Sequence, residues 1–106
     1  MRTDILDVHK LKKFSDEKRQ RVTIWNDDQS KINLICMQPG QEMTTHTHNG
    51  NHIWLVMEGR GEFISGRESA TVDQGKIVIV APLVEHGIRN ASDQNLVIAS
   101  ITAQGD

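Results

Sequence analysis

With 106 residues the chain is one domain, large enough to bury a core without staples, and its 37% apolar content, eight glycines and two prolines describe an ordinary soluble globular protein. The single cysteine, Cys36, excludes an internal disulfide framework and is consistent with a reducing compartment. A net charge of −2 argues against a nucleic-acid binder, which usually carries a basic stripe, and no apolar run approaches the length of a membrane span.

In chain order, residues 1–20 form the least regular segment. The opening MRTDILDVHKLKK is charged throughout and does not resemble a signal peptide, so the expected location is the cytoplasm. Ile5, Leu6, Val8, Leu11 and Phe14 can line one side of either a short helix or an opening strand. Such a segment is a candidate dimer arm, covering a sheet edge on a second copy of the chain, and a homodimer is expected. The basic residues Lys10, Lys12, Lys13, Lys18, Arg19 and Arg21 are interrupted by Asp16 and Glu17 and read as a solvated surface. Neither nucleic acid nor a membrane is expected as a partner.

Residues 21–106 form the second unit of the reading. From about Gln20 the chain alternates short apolar runs with turn residues, which predicts strands over 20–26, 31–38, 42–48, 52–58, 60–65, 68–73, 76–81, 86–90 and 95–103. The separators are Asn26-Asp27-Asp28, Pro39-Gly40, Asn49-Gly50, Gly59, Ser65-Gly66-Arg67, Asp73-Gln74-Gly75 and the stretch from Asn90 to Asn95. So many short strands without a long helix predict a closed or double-sheet β architecture, since an open sheet of that size would expose long edges.

Four of the five histidines fall into one pattern. His46 and His48 are two apart, so on one strand they share a face. Asn49-Gly50 predicts a tight reversal into a paired strand that opens at His52, bringing three imidazoles together from two neighbouring strands. His86 follows some thirty residues later. Imidazole is the commonest metal ligand, and such convergence predicts a bound divalent ion. The other reactive side chains read differently. His9 lies in the charged segment and reads as surface. Cys36, among Leu34, Ile35 and Met37, reads as a buried thiol. Glu58 and Glu85 flank turns and read as solvent-exposed, and Glu85 alternates with His86 and so points away from it. No nucleophile–base pair, nucleotide-binding loop or paired carboxylate is present, so any catalysis falls to the metal.

These residues carry a resemblance. Gly40, five residues, His46-Thr47-His48, three residues, His52, six residues and Gly59 follow the first motif of the cupin superfamily, which usually has glutamate where His52 stands. Gly75, Pro82, His86 and Asn90 follow the second, with the proline one place late and its inner glycine, three residues before the histidine, missing. From about Arg21 to Ile101 the chain therefore resembles the cupins, small all-β jelly-roll barrels (double-stranded β-helices) holding a metal inside. His52 reads as a fourth imidazole ligand, as in the small cupins with four histidines, including manganese-binding ones. The alternative is a site that has lost its metal, with His52 a polar residue at the barrel mouth.

The resemblance implies one divalent transition metal per chain on His46, His48, His52 and His86; manganese, iron, nickel, copper and zinc all accept imidazole. Four neutral ligands leave the full positive charge on the ion, a stronger Lewis acid than with a glutamate, and can leave two adjacent octahedral positions open. A closed tetrahedral zinc is the alternative. Same-face reasoning suggests Thr44, Trp54 and Val56 as pocket walls, with Val84, Ile88 and Asn90 around His86; the resemblance adds Ile98 and Ser100. A largely apolar cavity is expected, with plain core packing the competing account of Trp54, Val56 and Ile88. The function expected is that of a metal-dependent enzyme acting on a small organic substrate, a dioxygenase-like oxidoreductase. A redox-neutral isomerase, lyase or cyclase and a non-catalytic ligand- or metal-binding module are the alternatives.

Overall fold

A computed structural model describes residues 3–104. After a single helical turn, α1 (Val8–Leu11), the chain forms nine strands: β1 (Gln20–Asn26), β2 (Ser30–Met37), β3 (Glu42–His46), β4 (His52–Glu58), β5 (Arg60–Ser65), β6 (Glu68–Asp73), β7 (Ile77–Val80), β8 (His86–Arg89) and β9 (Leu96–Ala103). They make two antiparallel sheets, ordered β1-β2-β9-β4-β7 and β3-β8-β5-β6. The expected strands are present within a few residues, because each is bounded by residues that cannot continue it. Asp27, for example, accepts the backbone N–H of Gln29 at 2.9 Å and of Ser30 at 2.8 Å, closing the β1–β2 turn.

The inner faces of the two sheets enclose the main core. Met37 on β2, Trp54 and Val56 on β4, Ile88 on β8 and Leu96 and Ile98 on β9 are all at most 1% exposed. Each such side chain contributes about 1.5–3 kcal/mol relative to leaving it in water. Gly59, between β4 and β5, has φ +81°, and a Cβ there would lie 2.1 Å from the Asn95 carbonyl oxygen. Only glycine lets the chain reverse at that point while passing so close to the start of β9.

A second apolar layer lies on the outer face of the larger sheet. Leu34, Cys36, Val97 and Ala99 are buried there beneath Val8, Leu11 and Phe14. The N-terminal segment thus takes the helical alternative for one turn and folds over the face of its own sheet, because that face presents an apolar strip needing cover. Lys12 fastens it, donating to Glu58 at 2.6 Å. Glu58, expected to be solvent-exposed, is a half-buried partner in this ion pair.

One local expectation is overturned. Asn49-Gly50 does not form a hairpin: β3 and β4 belong to opposite sheets, β3 pairing with β8 and β4 with β7 and β9. A two-residue primed turn needs positive φ at its centre, and neither Asn49 nor Gly50 has it. The segment instead crosses from one sheet to the other at the open end of the barrel.

Candidate metal centre

The crossing brings the four histidines together more directly than a hairpin would. His46 closes β3 and lies opposite His86 of β8 in the ladder of the smaller sheet. A bulge between Met43 and His46 sets this register. Met43 faces the core, so unbroken alternation would turn Thr45 inward; the extra residue turns His46 inward instead. Gly87 lets β8 press against this bulge, since a Cβ there would meet the Met43 carbonyl oxygen at 2.8 Å. His52 opens β4 and faces it from the larger sheet, while His48 sits in the crossing between β3 and β4. His46 and His48 therefore converge, but not as alternating residues of one strand.

One ring nitrogen from each of His46, His48, His52 and His86 lies within 4.8 Å of the other three. About a divalent ion with bonds near 2.1 Å, ligand nitrogens lie about 3–4 Å apart, so this spacing suits one. The rings are already held in ligating orientations. His46 Nδ1 is 3.0 Å from the Thr44 carbonyl and His86 Nδ1 is 2.8 Å from the Val84 carbonyl. A carbonyl only accepts, so both rings carry their proton on Nδ1 and present Nε2 inward. His52 Nδ1 lies 2.7 Å from His86 Nε2, and its Nε2 lies 2.8 Å from Ser100 Oγ. A hydroxyl can donate or accept, so Ser100 supports His52 with its proton on either nitrogen.

The electrostatics also favour neutral rings. Burial pushes the His52 pKa down to about 3, helped by the fields of His48, His86, His46 and Arg21. Burial likewise lowers that of His86, against the opposing hydrogen bond to Val84. Neutral imidazole is the metal-binding form. Four converging imidazoles, three of them oriented by hydrogen bonds, fit a borderline divalent cation.

A cavity of about 260 Å³ opens onto this cluster. His46, His48 and His52 form its floor, and Arg19, Arg21, Lys31, Asn33, Thr44, Ser100 and Thr102 contribute to its walls with Ile35 and Met43. The expected walls are corrected accordingly. Thr44 and Ser100 line the cavity, but Trp54, Val56, Ile88 and Ile98 belong to the core beneath it. Trp54 touches the site from that side, its ring centroid 5.2 Å from that of His86 and 5.4 Å from that of His52. Val84 is exposed, and Asn90 is buried in a turn, its amide donating to the Met37 and Gln94 carbonyls at 3.2 and 2.8 Å. The side chains that line the cavity are mostly polar and three are basic, beside the apolar Ile35 and Met43. Arg21, Lys31, Asn33 and Thr102 were not expected in it, and Arg19 and Arg21 are not part of a merely solvated cluster. Their signal was the alternation Arg21-Val22-Thr23-Ile24, whose polar members face inward here.

The second motif's departure is visible too. Leu83 occupies the position of the missing inner glycine and carries the left-handed backbone that position imposes, with φ 65°. Its N–H donates to the His48 carbonyl at 2.8 Å, tying the turn before His86 to the loop that holds His48.

The profile of the Cupin domain family matches residues 33–102. The chain belongs to the cupin family. No curated protein matches it closely enough to lend a function. Among solved structures, a protein from Thermus thermophilus superposes with a TM-score of 0.89 at 24% identity, over 95% of this chain and 97% of that one. An uncharacterized conserved protein with a double-stranded beta-helix domain from Klebsiella pneumoniae gives 0.89 at 24% identity, over 98% and 92% of the two chains. A cupin superfamily protein from Desulfitobacterium hafniense gives 0.82 at 14%, over 97% and 93%. These likenesses establish the double-stranded β-helix of this cupin and leave its chemistry to its own residues. Among the described residues no helix is long and apolar enough to cross a membrane.

Proposed function

We propose that this cupin holds one divalent transition metal on His46, His48, His52 and His86 and uses it to transform a small organic substrate, as a dioxygenase-like oxidoreductase of the cytoplasm. The observation that carries the reading is the cavity whose floor is three of the four converging imidazoles. A metal buried for structure alone would not need an opening of that size above it. Bound there, the metal would supply Lewis acidity and, if redox-active, electrons for dioxygen chemistry. The chain's own residues bind and orient. Thr44, Val84 and Ser100 fix three of the four rings, so little reorganisation is needed when the site is filled. The core below, with Trp54 against the rings, excludes water from one side.

No carboxylate lines the cavity among the described residues. That favours a reaction needing no separate general base, and it is also what supports the second reading, a binding module without turnover. Elemental analysis of untagged protein should find close to one transition-metal ion per chain. Supplying a 1,3-diketone, a catechol or a 2-oxo acid to the loaded protein in air should then consume dioxygen in step with loss of the compound, and His86→Ala should abolish this. Binding without oxygen uptake would support the module instead. Metal-free protein with an unchanged melting temperature and no response to added ions would end the metal reading altogether.

A further inference from the structure

The two ends of the barrel interior differ in chemistry. On the inner face of the larger sheet, β2 runs from Met37 and Ile35 to Asn33 and Lys31, and its partner β9 runs from Leu96 and Ile98 to Ser100 and Thr102. The ladder pairs Asn33 with Ser100 and Lys31 with Thr102, so both strands change from apolar to polar at the same level. Next to them β1 places Arg21 opposite Ile35, on the same inner side. The upper half of the barrel is therefore a polar chamber above a dry core, with the histidines at the junction.

The chamber is strongly one-signed. Among the described residues Arg19, Arg21 and Lys31 line it and no Asp or Glu does, on a chain whose net charge is −2. Arg19 is partly anchored, donating to the Glu42 carbonyl at 3.3 Å; a guanidinium keeps further donors for a ligand. Thr102 lines the same chamber, is 6% exposed, and its buried Oγ1 has no hydrogen-bond partner among the described residues. A buried hydroxyl without a partner is costly and points to a group that enters and satisfies it. At about 30 Å³ per water, 260 Å³ holds roughly nine waters, the scale of a small carboxylic acid.

We propose that the substrate is a small dianion: one end reaches the four-histidine centre, and a second anionic group, of which a carboxylate is the simplest, is held by Arg21 at the mouth of the chamber. This rests on the metal-centre reading and adds to it the charge and length of the molecule. A neutral or singly charged chelator would leave the Arg21 guanidinium unused. The field of the basic wall would also draw anions toward a protein that is otherwise slightly acidic.

The test uses manganese-loaded protein without oxygen and two probes sharing one chelating head, 2-oxoglutarate and 2-oxopentanoate, which differ in a distal carboxylate against a methyl group. Calorimetry should give the diacid an affinity at least about tenfold higher, the scale of a hydrogen-bonded charge pair in a partly enclosed site. In Arg21→Gln that ratio should fall to within about twofold while manganese content stays at one per chain. Thr102→Val, close in shape, gives a milder variant should Arg21→Gln not fold, and should weaken 2-oxoglutarate more than 2-oxopentanoate. Equal affinities for the two acids in the parent, or a ratio that survives the substitutions, overturn the dianion assignment and leave the metal centre standing. Protein that takes up no manganese overturns the metal-centre reading, and this assignment with it.

Discussion

His52 shows how one side chain joins the two halves of the site. It stands where the family usually places a glutamate, and the structure gives it a ring pressed against His86 Nε2 and tied to Ser100. Its folded pKa, about 3, lies below the ordinary value near 6.5, and that of His86 is lowered as well. The unfolded chain therefore takes up protons that the folded chain refuses. The contribution of these groups is complete above about pH 6.5 and is lost as pH falls toward 3. Metal-free protein should melt at a nearly constant temperature above pH 7 and progressively lower below pH 6.5, and His52→Gln should flatten that decline. A decline that is equally steep in His52→Gln would show that His52 is not held neutral. His52→Ala should weaken metal binding, whereas His52→Glu, which restores the commoner ligand, should retain it; both are read by titration with a competing chelator. Leu83 is a different case. It holds a left-handed backbone at 68% exposure, so its side chain gains little from burial while its Cβ strains the turn. Leu83→Gly should stabilise the fold by about 0.5–1 kcal/mol, the left-handed cost of roughly 1–2 less glycine's entropy, seen as a rise of a few degrees in melting temperature.

Among the elements, the turn after β8 is fastened by a single residue. Asn90 is fully buried, donates to the Met37 and Gln94 carbonyls, and accepts from both the N–H and the hydroxyl of Ser92. It thereby clamps the β8–β9 connection against the end of β2, far from the chamber it was expected to line. Asn90→Ala should cost about 2–4 kcal/mol, several hydrogen bonds and the carbonyls left unpaired, and should leave metal affinity unchanged. Thermal melting and metal titration on the same variant separate the two effects. Most elements were legible because strands and turns are local: the nine runs and their separators needed no knowledge of the rest of the chain. The β3–β4 connection was not. Asn-Gly favours a hairpin only when the flanking strands pair, and here β8 competes successfully for β3, placing His46 against His86.

At the scale of the molecule, the sheet edges differ. The large apolar side chains exposed on strands are Ile77 and Ile79, both on β7, the edge of the larger sheet. Strands β1, β3 and β6, at the other edges, expose none among the described residues. An apolar unpaired edge is a liability unless covered, and antiparallel pairing with a second β7 across a twofold axis would cover it. Sedimentation should therefore find a homodimer, and Ile77→Lys/Ile79→Lys should yield monomer with its metal content intact; a parent protein that sediments as a monomer would contradict this. The β class, the strand positions, the family and the four histidines were legible along the chain, because periodicity, turn chemistry and motif spacing are properties of consecutive residues. Those properties could not determine which face of each strand is the inside. Alternation says only that Arg21 and Thr23 oppose Val22 and Ile24, and by default the polar set faces water. Tertiary structure reversed that default. The N-terminal segment covers the outer face of β1, β2 and β9, so Val22, Ile24, Leu34, Cys36, Val97 and Ala99 pack outward beneath it, and at the open end of the same strands Arg21, Lys31, Asn33, Ser100 and Thr102 turn inward to wall the chamber above the histidines.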